Sequence, residues 1–440
     1  MANGLPSGQG QESPAIEVSG WTLFIRLMRI GLGIKRWLLI AGLGIGVCAI
    51  GLAFVAKNLL SFNTPDLLPW HLEGIIVFTA GIGLILLAIY GLYNSLGPLL
   101  LRYKSINELA RTIYTRRSLE RGPHIVAIGG GTGLSVLLRG LKAYTDNITA
   151  IVTVADDGGS SGRLRRELGV MPPGDFRNCL VALSYDEGLV AELFQYRFDQ
   201  GEGLEGHSFG NLFIAAMTGV TGNFEQALLE SSKVLAVHGR IIPATWSHID
   251  LTARLSDGTH VHGESNIAVQ GRSIDEVHIE PPDIQANPEA IAAIAEADLI
   301  LVGPGSLYTS IMPNLLVPGV TEAIQASSAQ TIYICNVATE EGETGGFTMA
   351  DHVLALQRHT FPTIADSVIA NGNLSETGAQ FNSRAVPPSK GELSNVRVII
   401  ADLIDPKHPL RHDTKRLARV VIDVYHGRQP IENESAVVAR

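Results

Sequence analysis

Cysteine is nearly absent from this chain: three in 440 residues, at Cys48, Cys179 and Cys335. That excludes a disulfide framework and a metal site built on clustered thiolates, and it suits a reducing compartment. Aromatic residues make up only 6% and charged residues 17%. Positive charge is scarcest where a polyanion would need it. Eleven of the 33 Lys+Arg and six of the 43 Asp+Glu lie in residues 1–121, which leaves 22 basic against 37 acidic in the remainder. So acidic a remainder excludes a nucleic-acid surface, and any phosphate site in it has to be built from backbone amides and a few arginines. A P-loop is missing too, since no Gly-Lys-Ser/Thr follows the glycine run at residues 129–133. The dinucleotide fingerprint lacks its third glycine, with Leu134 or Val136 in its place depending on register.

Apolar sequence, by contrast, is abundant at 46% of residues, and two segments account for the excess. Trp37 to Ala56 and Gly74 to Tyr93 contain no charged residue. Each is about 20 residues, the length of one bilayer crossing as an α-helix. Arg26, Arg29, Lys35 and Arg36 precede the first, and Arg102, Lys104, Arg111, Arg116 and Arg117 follow the second. The connection carries only Lys57 against Asp66 and Glu73. Positive charge stays inside, so the pattern predicts a two-span transmembrane hairpin in the cell membrane, with both ends in the cytoplasm. A cleaved signal peptide would have a shorter apolar core and no second span. Gly42 and Gly46 form a small-xxx-small pair expected to let the two helices pack closely.

The expected layout is a polar, disordered tail over residues 1–20, the hairpin over 21–104, an amphipathic linker helix over 105–121 and one globular domain over 122–440. Ile106, Leu109, Ala110 and Ile113 share one face of the linker. The globular part alternates strands and helices, which predicts an α/β fold with a Rossmann-like parallel sheet. Ile125 to Ile128 and Ile148 to Val154 read as the first strands, with helices from about Phe176 to Ser184, Leu189 to Arg197 and Asn211 to Met217. Asn223 and Gln226 resemble a capping box opening a further helix. From Ile241 to Ile279 the period changes to two, with an Asp257-Gly258 hairpin turn, and this reads as a β-rich insertion between two α/β halves. Helix Pro288 to Ala297, strands Leu299 to Val302 and Ile332 to Cys335, and an amphipathic helix Asp413 to Val424 follow.

Five loops fall where strand carboxyl ends or helix amino ends are expected. Gly129, Gly130, Gly131, Thr132 and Gly133 link the first strand to a helix, allowing close backbone approach to an anion at a helix amino end. Asp156 and Asp157 precede a small-residue run with Ser160 and Ser161; the acid pair can hold a hydrated Mg²⁺ or a sugar, or Asp156 can cap a turn. Gly174, Asp175, Arg177 and Asn178 open a helix, where Asp175 suits an N-cap as well as a ligand contact. His207, Ser208 and Asn211 open another; His207 is a candidate acid or phosphate donor, although a lone histidine is more often structural. Gly303, Gly305, Ser306 and Leu307 form a second glycine loop, expected on the opposite wall of one cleft, and Asn336 is placed to read a base or sugar edge. Catalytic candidates are therefore Asp156, Asp157 and His207. Together the loops point to an anionic-ligand cleft.

The strings IGGGTG, TVADDGGSSGRLR, PGDFRN, GHSFGN, GPGSLYTSIMPNLL and YICNVATEEGET, in this order, resemble the gluconeogenesis factor (YvcK) family, related to 2-phospho-L-lactate transferase and its CofD-like relatives. The resemblance runs from His124 to the C-terminus. It implies a Rossmann-like core that binds a nucleotide sugar such as UDP-N-acetylglucosamine, with NAD(P) as another ligand of that kind. It further implies a regulatory role in gluconeogenic growth, cell shape and cell-wall precursor supply. Family members are usually soluble, so the hairpin reads as an addition. No segment here is assigned to the deazaflavin pocket of the transferases. Three readings follow: a nucleotide-sugar-binding regulator, a Mg²⁺-dependent transferase of phospho groups, and an NAD(P)-binding oxidoreductase. Self-association into a homo-oligomer is left open.

Overall fold

The computed structural model of the chain describes residues 34–60, 70–100, 117–185, 188–374, 383–389, 393 and 395–428. The expected tail, nearly all of the linker, and Arg26, Arg29, Arg102, Lys104, Arg111 and Arg116 lie outside these residues, as does most of the connection between the two apolar segments. The chain divides into two compact units, Met1–Arg117 and Ser118–Arg440.

In the first unit, α1 (Ile34–Leu60) and α2 (Trp70–Leu100) pack side by side. Both contain windows long and apolar enough to cross a membrane, Arg36–Ala53 and Ile75–Asn94. Cys48 and Gly51 of α1 face Gly81 and Phe78 of α2, while Trp37 lies against Gly91, so the helices run antiparallel. The seam is made by Gly44, Gly51, Gly81 and Gly91: a Cβ on Gly51 would lie 2.5 Å from the Phe78 nitrogen, and one on Gly44 would lie 3.0 Å from the Gly81 carbonyl oxygen. This corrects the expectation for Gly42 and Gly46, around which nothing lies within 4 Å. Two residues along a helix turn the side-chain direction by about 200°, so both glycines point away from the seam that Gly44 occupies. The outward surface is apolar, with Leu39, Leu43, Leu52, Leu86 and Tyr90 at 60–74% exposure.

The second unit begins with β1 (Ile125–Gly129), α3 (Gly131–Leu141), β2 (Ile148–Val152), α4 (Gly159–Leu168), α5 (Gly174–Leu183), α6 (Leu189–Gln195), α7 (Phe209–Thr221), α8 (Phe224–Val234) and β3 (Arg240–Pro243). An antiparallel piece follows: β4 (Asp250–Leu255), β5 (His260–His262), the short helix α9 (Glu264–Ala268) and β6 (Ile274–Glu280). The remainder is α10 (Pro288–Ala295), β7 (Leu299–Val302), a π-helical turn over Leu307–Ile311 with α11 (Met312–Leu315), α12 (Val320–Ala326), β8 (Gln330–Ile334), α13 (Met349–His359), β9 (Ser367–Asn371), β10 (Arg397–Ala401), β11 (Ile404–Asp405), β12 (His408–His412) and α14 (Thr414–Tyr425).

Among the described residues the main sheet has seven strands in the order β10-β9-β8-β7-β1-β2-β3, every pair parallel. β1, β2 and β7 are buried along their whole length, as β-branched runs covered on both faces should be. The chain proceeds outward from β1 to β3, then returns to pair β7 on the other side of β1 and proceeds outward again to β10. The direction of winding therefore reverses between β1 and β7, and the crevice beyond their carboxyl ends is where open α/β sheets bind ligands. The β-rich insertion is a separate three-stranded sheet, β5-β4-β6, on the connection between β3 and β7. Its Asp257-Gly258 turn forms as read, with Gly258 at φ +83° and the Thr259 amide donating to Asp257 Oδ1 at 3.0 Å. The Asn223 cap is present as well, accepting from the Gln226 amide at 2.8 Å.

Several boundaries differ from the sequence reading by a few residues, two of them beside the site. β2 stops at Val152, because the Thr153 amide turns to the Gly129 carbonyl and its hydroxyl accepts from Ala155. α5 starts at Gly174 rather than Phe176. The terminal helix α14 lays Leu417, Ala418 and Val421 against α3, where Gly140 sits directly beneath the Thr414 carbonyl and the Ala418 methyl. No side chain fits there. Gly140→Val is expected to destabilise the protein by about 1–3 kcal/mol through overpacking, read as a lowered midpoint in urea denaturation; an unchanged midpoint would show that the two helices do not pack this closely.

Candidate ligand cleft at the sheet switch point

The two glycine loops press directly on each other. A Cβ on Gly133 would lie 2.6 Å from the Pro304 carbonyl oxygen and 2.9 Å from the Gly305 nitrogen, and one on Gly305 would lie 3.2 Å from the Gly130 oxygen. Gly131 at φ +64° and Gly305 at φ +153° hold backbone conformations that a side chain would strain. Between the loops and the C-terminal elements lies a cleft of about 340 Å³, lined by Gly130 to Gly133, Gly305, Ser306 and Asn336. Val136, Val337, Glu340, Leu410, Arg411 and His412 line it as well.

Near this place three helices start without a cap from their own N-cap residue. α3, α4 and α5 start at Gly130, Gly158 and Pro173, none of which makes a capping hydrogen bond. α7, α8, α10, α13 and α14, by contrast, are capped by Ser208, Asn223, Asn287, Thr348 and Asp413. An uncapped helix start leaves amide donors and the positive end of the dipole open to an anion. The Gly131 amide is already engaged, by the carboxylate of Asp175. Asp175 therefore reaches across to the glycine loop instead of capping its own helix.

Next to the loops stands a wall of carboxyl groups. Burial, with Asp156 nearby, pushes Asp175 up to about 6. Asp156 is raised as well, mainly by burial, although the Gly158 amide and Ser161 hydroxyl work against the shift. Glu264, from α9, is pushed up to about 8 by burial and by Asp156, Asp175, Asp157 and Glu343. Burial and Glu340 drive Glu343 to about 7, even though it accepts from the Tyr308 amide at 3.2 Å and the Thr309 hydroxyl at 2.7 Å. The acid pair after β2 diverges: Asp156 Oδ1 accepts from the Gly158 amide at 3.0 Å, whereas Asp157 Oδ1 accepts from the Ser265 amide at 2.9 Å. Among the described residues no three His, Cys, Asp or Glu side chains form a group that could hold a metal ion.

The remaining loop residues bind one another. His207, 3% exposed, pairs through Nδ1 with Ser160 Oγ at 2.9 Å; Asn211 Nδ2 donates to the same oxygen at 3.0 Å. Arg177 donates to Ser208 at 2.5 Å, to Asn211 at 3.1 Å and to Asn178 at 2.9 Å. Ser161 accepts from the Gly174 amide at 3.0 Å. Burial and Arg163 lower the His207 imidazole, which favours its neutral form. His207 thus has a partner after all, inside a polar network that ties α4, α5 and α7 into one wall.

Of the expected site residues, then, Gly130, Gly131, Thr132, Gly133, Gly305, Ser306 and Asn336 line the cleft. Asn336 does not point a free amide at a ligand: it accepts from the Gly305 nitrogen, donates to the Gly305 oxygen at 2.9 Å and also donates to Glu340, locking the second loop. Leu307 is fully buried and its side chain belongs to the core, where the π-helical turn begins. Gly129 ends β1, and its carbonyl accepts from Asn314 at 3.1 Å. At φ +83°, Gly303 makes the turn out of β7. Glu340 and Arg411 line the cleft and were missed by the sequence reading, as were Glu264 and Glu343 of the carboxyl group. Glu340 and Glu343 lay within the quoted string YICNVATEEGET, whereas Glu264 lies in the insertion, where no strand-to-helix pattern marks it.

A doubly wound parallel sheet with two glycine loops meeting at its switch point places the chain among Rossmann-like α/β proteins. The family model for 2-phospho-L-lactate transferase CofD matches residues 125–423. The gluconeogenesis factor of Bacillus subtilis strain 168 is 48% identical over 310 residues, covering 69% of this chain and 98% of its own. A crystal structure of a Bacillus halodurans protein superposes with a TM-score of 0.66 at 47% identity, covering 69% of this chain and 100% of that one. The chain belongs to the gluconeogenesis factor (YvcK) family of CofD-like proteins. The solved relative is matched over its whole length by 69% of this chain, close to the extent of the second unit. A relative from Nostoc sp. strain PCC 7120, 46% identical over 427 residues, covers 90% of this chain and 91% of its own. That is more than Ser118–Arg440 can supply, so the match reaches into the N-terminal unit.

The raised carboxyls set a pH dependence. Asp175, Glu343 and Glu264 hold protons in the folded state that the unfolded chain releases near the ordinary carboxylate range, so the folded state binds more protons and stability falls as pH rises through their folded values. His412, lowered to about 4 by burial, acts in the opposite sense at acid pH. The unfolding temperature of the second unit is expected to decline from about pH 6 to about pH 8 and to level off above it, and Glu264→Gln to flatten the upper part of that decline. A level wild-type profile over this range would contradict the assignment.

Proposed function

We propose that this protein is a nucleotide-sugar-binding regulator, with a UDP-sugar as its ligand, acting in gluconeogenic growth and in the supply of cell-wall precursors and hence cell shape. One observation carries this reading: two glycine loops and uncapped helix starts meet at the sheet switch point, which suits a diphosphate held by backbone amides in an otherwise acidic molecule. Support also comes from the imidazole of His207, which is tied up in a buried network and offers no general base to the cleft. The family membership supports the physiological half of the reading.

The cleft makes a direct test. Gly131→Val places a branched side chain at a positive φ in the cradle, and it is expected to abolish UDP-sugar binding in isothermal calorimetry on residues 118–440, with the far-ultraviolet circular dichroism retained. EDTA is expected to leave the wild-type affinity unchanged and the ligand to be recovered intact after long incubation. Mg²⁺-dependent release of UMP or UDP, lost in Asp157→Asn, would replace the regulator by a transferase of the CofD type.

The N-terminal unit, in this reading, is a transmembrane hairpin that keeps the second unit at the cytoplasmic face of the cell membrane. Its outward side chains are apolar, only 11% and 17% of the two apolar windows are buried, and the flanking charges obey the positive-inside rule. A cysteine introduced by Thr64→Cys is expected to react with a membrane-impermeant maleimide added to intact cells. Recovery of the full-length protein in the soluble fraction would refute the hairpin.

A further inference from the structure

The turn after the second glycine loop carries a hydroxyl that the fold itself leaves unused. Over Leu307–Ile311 the backbone is π-helical, with the Ser310 and Ile311 amides both donating to the Ser306 carbonyl, at 2.9 and 3.0 Å. The extra residue of a π-turn changes which side chain faces which way, and such turns are frequent at functional sites. Here Leu307, Tyr308 and Ile311 are fully buried in the core, and the Thr309 hydroxyl donates to Glu343. Ser310 alone of the five lines the cleft. Its carbonyl accepts from Asn314 Nδ2 at 2.8 Å, and the same nitrogen donates to the Gly129 carbonyl at 3.1 Å, so the end of β1 fixes where Ser310 sits.

Ser310 is only 8% exposed, and among the described residues its hydroxyl has no hydrogen-bond partner. Two other hydroxyls along the cleft are engaged, Ser306 by Glu340 and Thr339 by the Arg384 amide. The glycines show which way Ser310 points. A Cβ on Gly131 would have Ser310 Oγ, at 3.7 Å, as its nearest neighbour outside its own helix, so the hydroxyl faces the first residue of α3 across open space. Cβ atoms on Gly130 and Gly305 would lie 3.4 and 3.5 Å from Ser310 Cβ, which places the residue between the two loops. In the first turn of α3 the Gly131 amide is taken by Asp175, whereas among the described residues nothing accepts from the Thr132 and Gly133 amides. Two open amides at a helix start and a buried, unpartnered hydroxyl beside them suit a group rich in acceptors and negative in charge, which is what a phosphate oxygen offers.

We propose that Ser310 is a phosphate-binding residue of the cleft: its hydroxyl donates to a phosphate oxygen held at the start of α3, so that a side chain from one loop completes an anion seat whose amides come from the other. This rests on the UDP-sugar reading above for the identity of the ligand, but not for the phosphate. In the full-length chain in detergent, Ser310→Ala should weaken UDP-N-acetylglucosamine and UDP alike by about tenfold or more in isothermal calorimetry, because both bring the diphosphate. Ser310→Cys, which keeps the shape but donates weakly, should lose affinity in the same direction. The unfolding temperature without ligand should stay level, since no hydrogen bond within the protein is removed. Wild-type affinity in both variants overturns the assignment, and a loss accompanied by a lowered ligand-free unfolding temperature overturns it in favour of a packing role. If wild type binds neither nucleotide, the UDP-sugar reading has failed and the seat is judged with inorganic pyrophosphate: a rise in the wild-type unfolding temperature that Ser310→Ala removes upholds the seat, and no rise overturns it.

Discussion

The contact that the rest of the site depends on is backbone against backbone, where the loop after β1 meets the loop after β7. Pro304 carbonyl and Gly305 nitrogen occupy the space that a Cβ of Gly133 would fill, and Gly130 oxygen lies against Gly305. Fixing this contact are side chains that bond to main chain: Asn314 to the Gly129 carbonyl and Asn336 to both polar groups of Gly305. Because the loops touch, the start of α3 and the π-helical turn at Leu307 face one shared space. Separating the loops by a methyl group would leave two shallow turns where there is now one cleft.

A consequence is a molecule that handles an anion with little positive charge. Ion pairs such as Arg165 with Asp250 and Arg416 with Asp402 engage residues that do not line the cleft. The amides and helix dipoles supply the attraction, while the carboxyls beside them set a limit on how much negative charge a ligand can bring. Such an arrangement keeps several carboxyls well above their ordinary range, which costs stability in the ligand-free fold. Unfavourable titrations of this kind concentrate at binding and catalytic sites.

Much of this was legible in the sequence, for identifiable reasons. β1 and β2 are unbroken β-branched runs, and each glycine cluster follows a strand directly, so the parallel sheet and its two loops could be read from local pattern. The Asp257-Gly258 hairpin and the Asn223 cap are equally local. What could not be read is what long-range packing decides. Gly42 and Gly44 look alike in sequence, and only the antiparallel partner helix selects Gly44. Asn336 follows a strand as a ligand contact would, yet its amide is consumed by a loop 31 residues earlier in the chain. Glu264 sits in a five-residue helix of an antiparallel sheet, and nothing in the chain around it reveals that Asp157, more than a hundred residues away, lies beside it.

The position of β1 at the centre of the sheet also has a consequence in time. Its partner on one side, β2, follows within a few residues of α3, but on the other side the first tie is between His124 and Asp298, 174 residues later. A ribosome adds about 5–20 residues per second, so the free edge of β1 waits about 10–35 s for β7 to emerge. Through that interval the nascent chain presents a fully apolar parallel edge, the kind that pairs with whatever strand is near. The hairpin has by then left the ribosome, so the open edge is carried on a chain whose other end is already made.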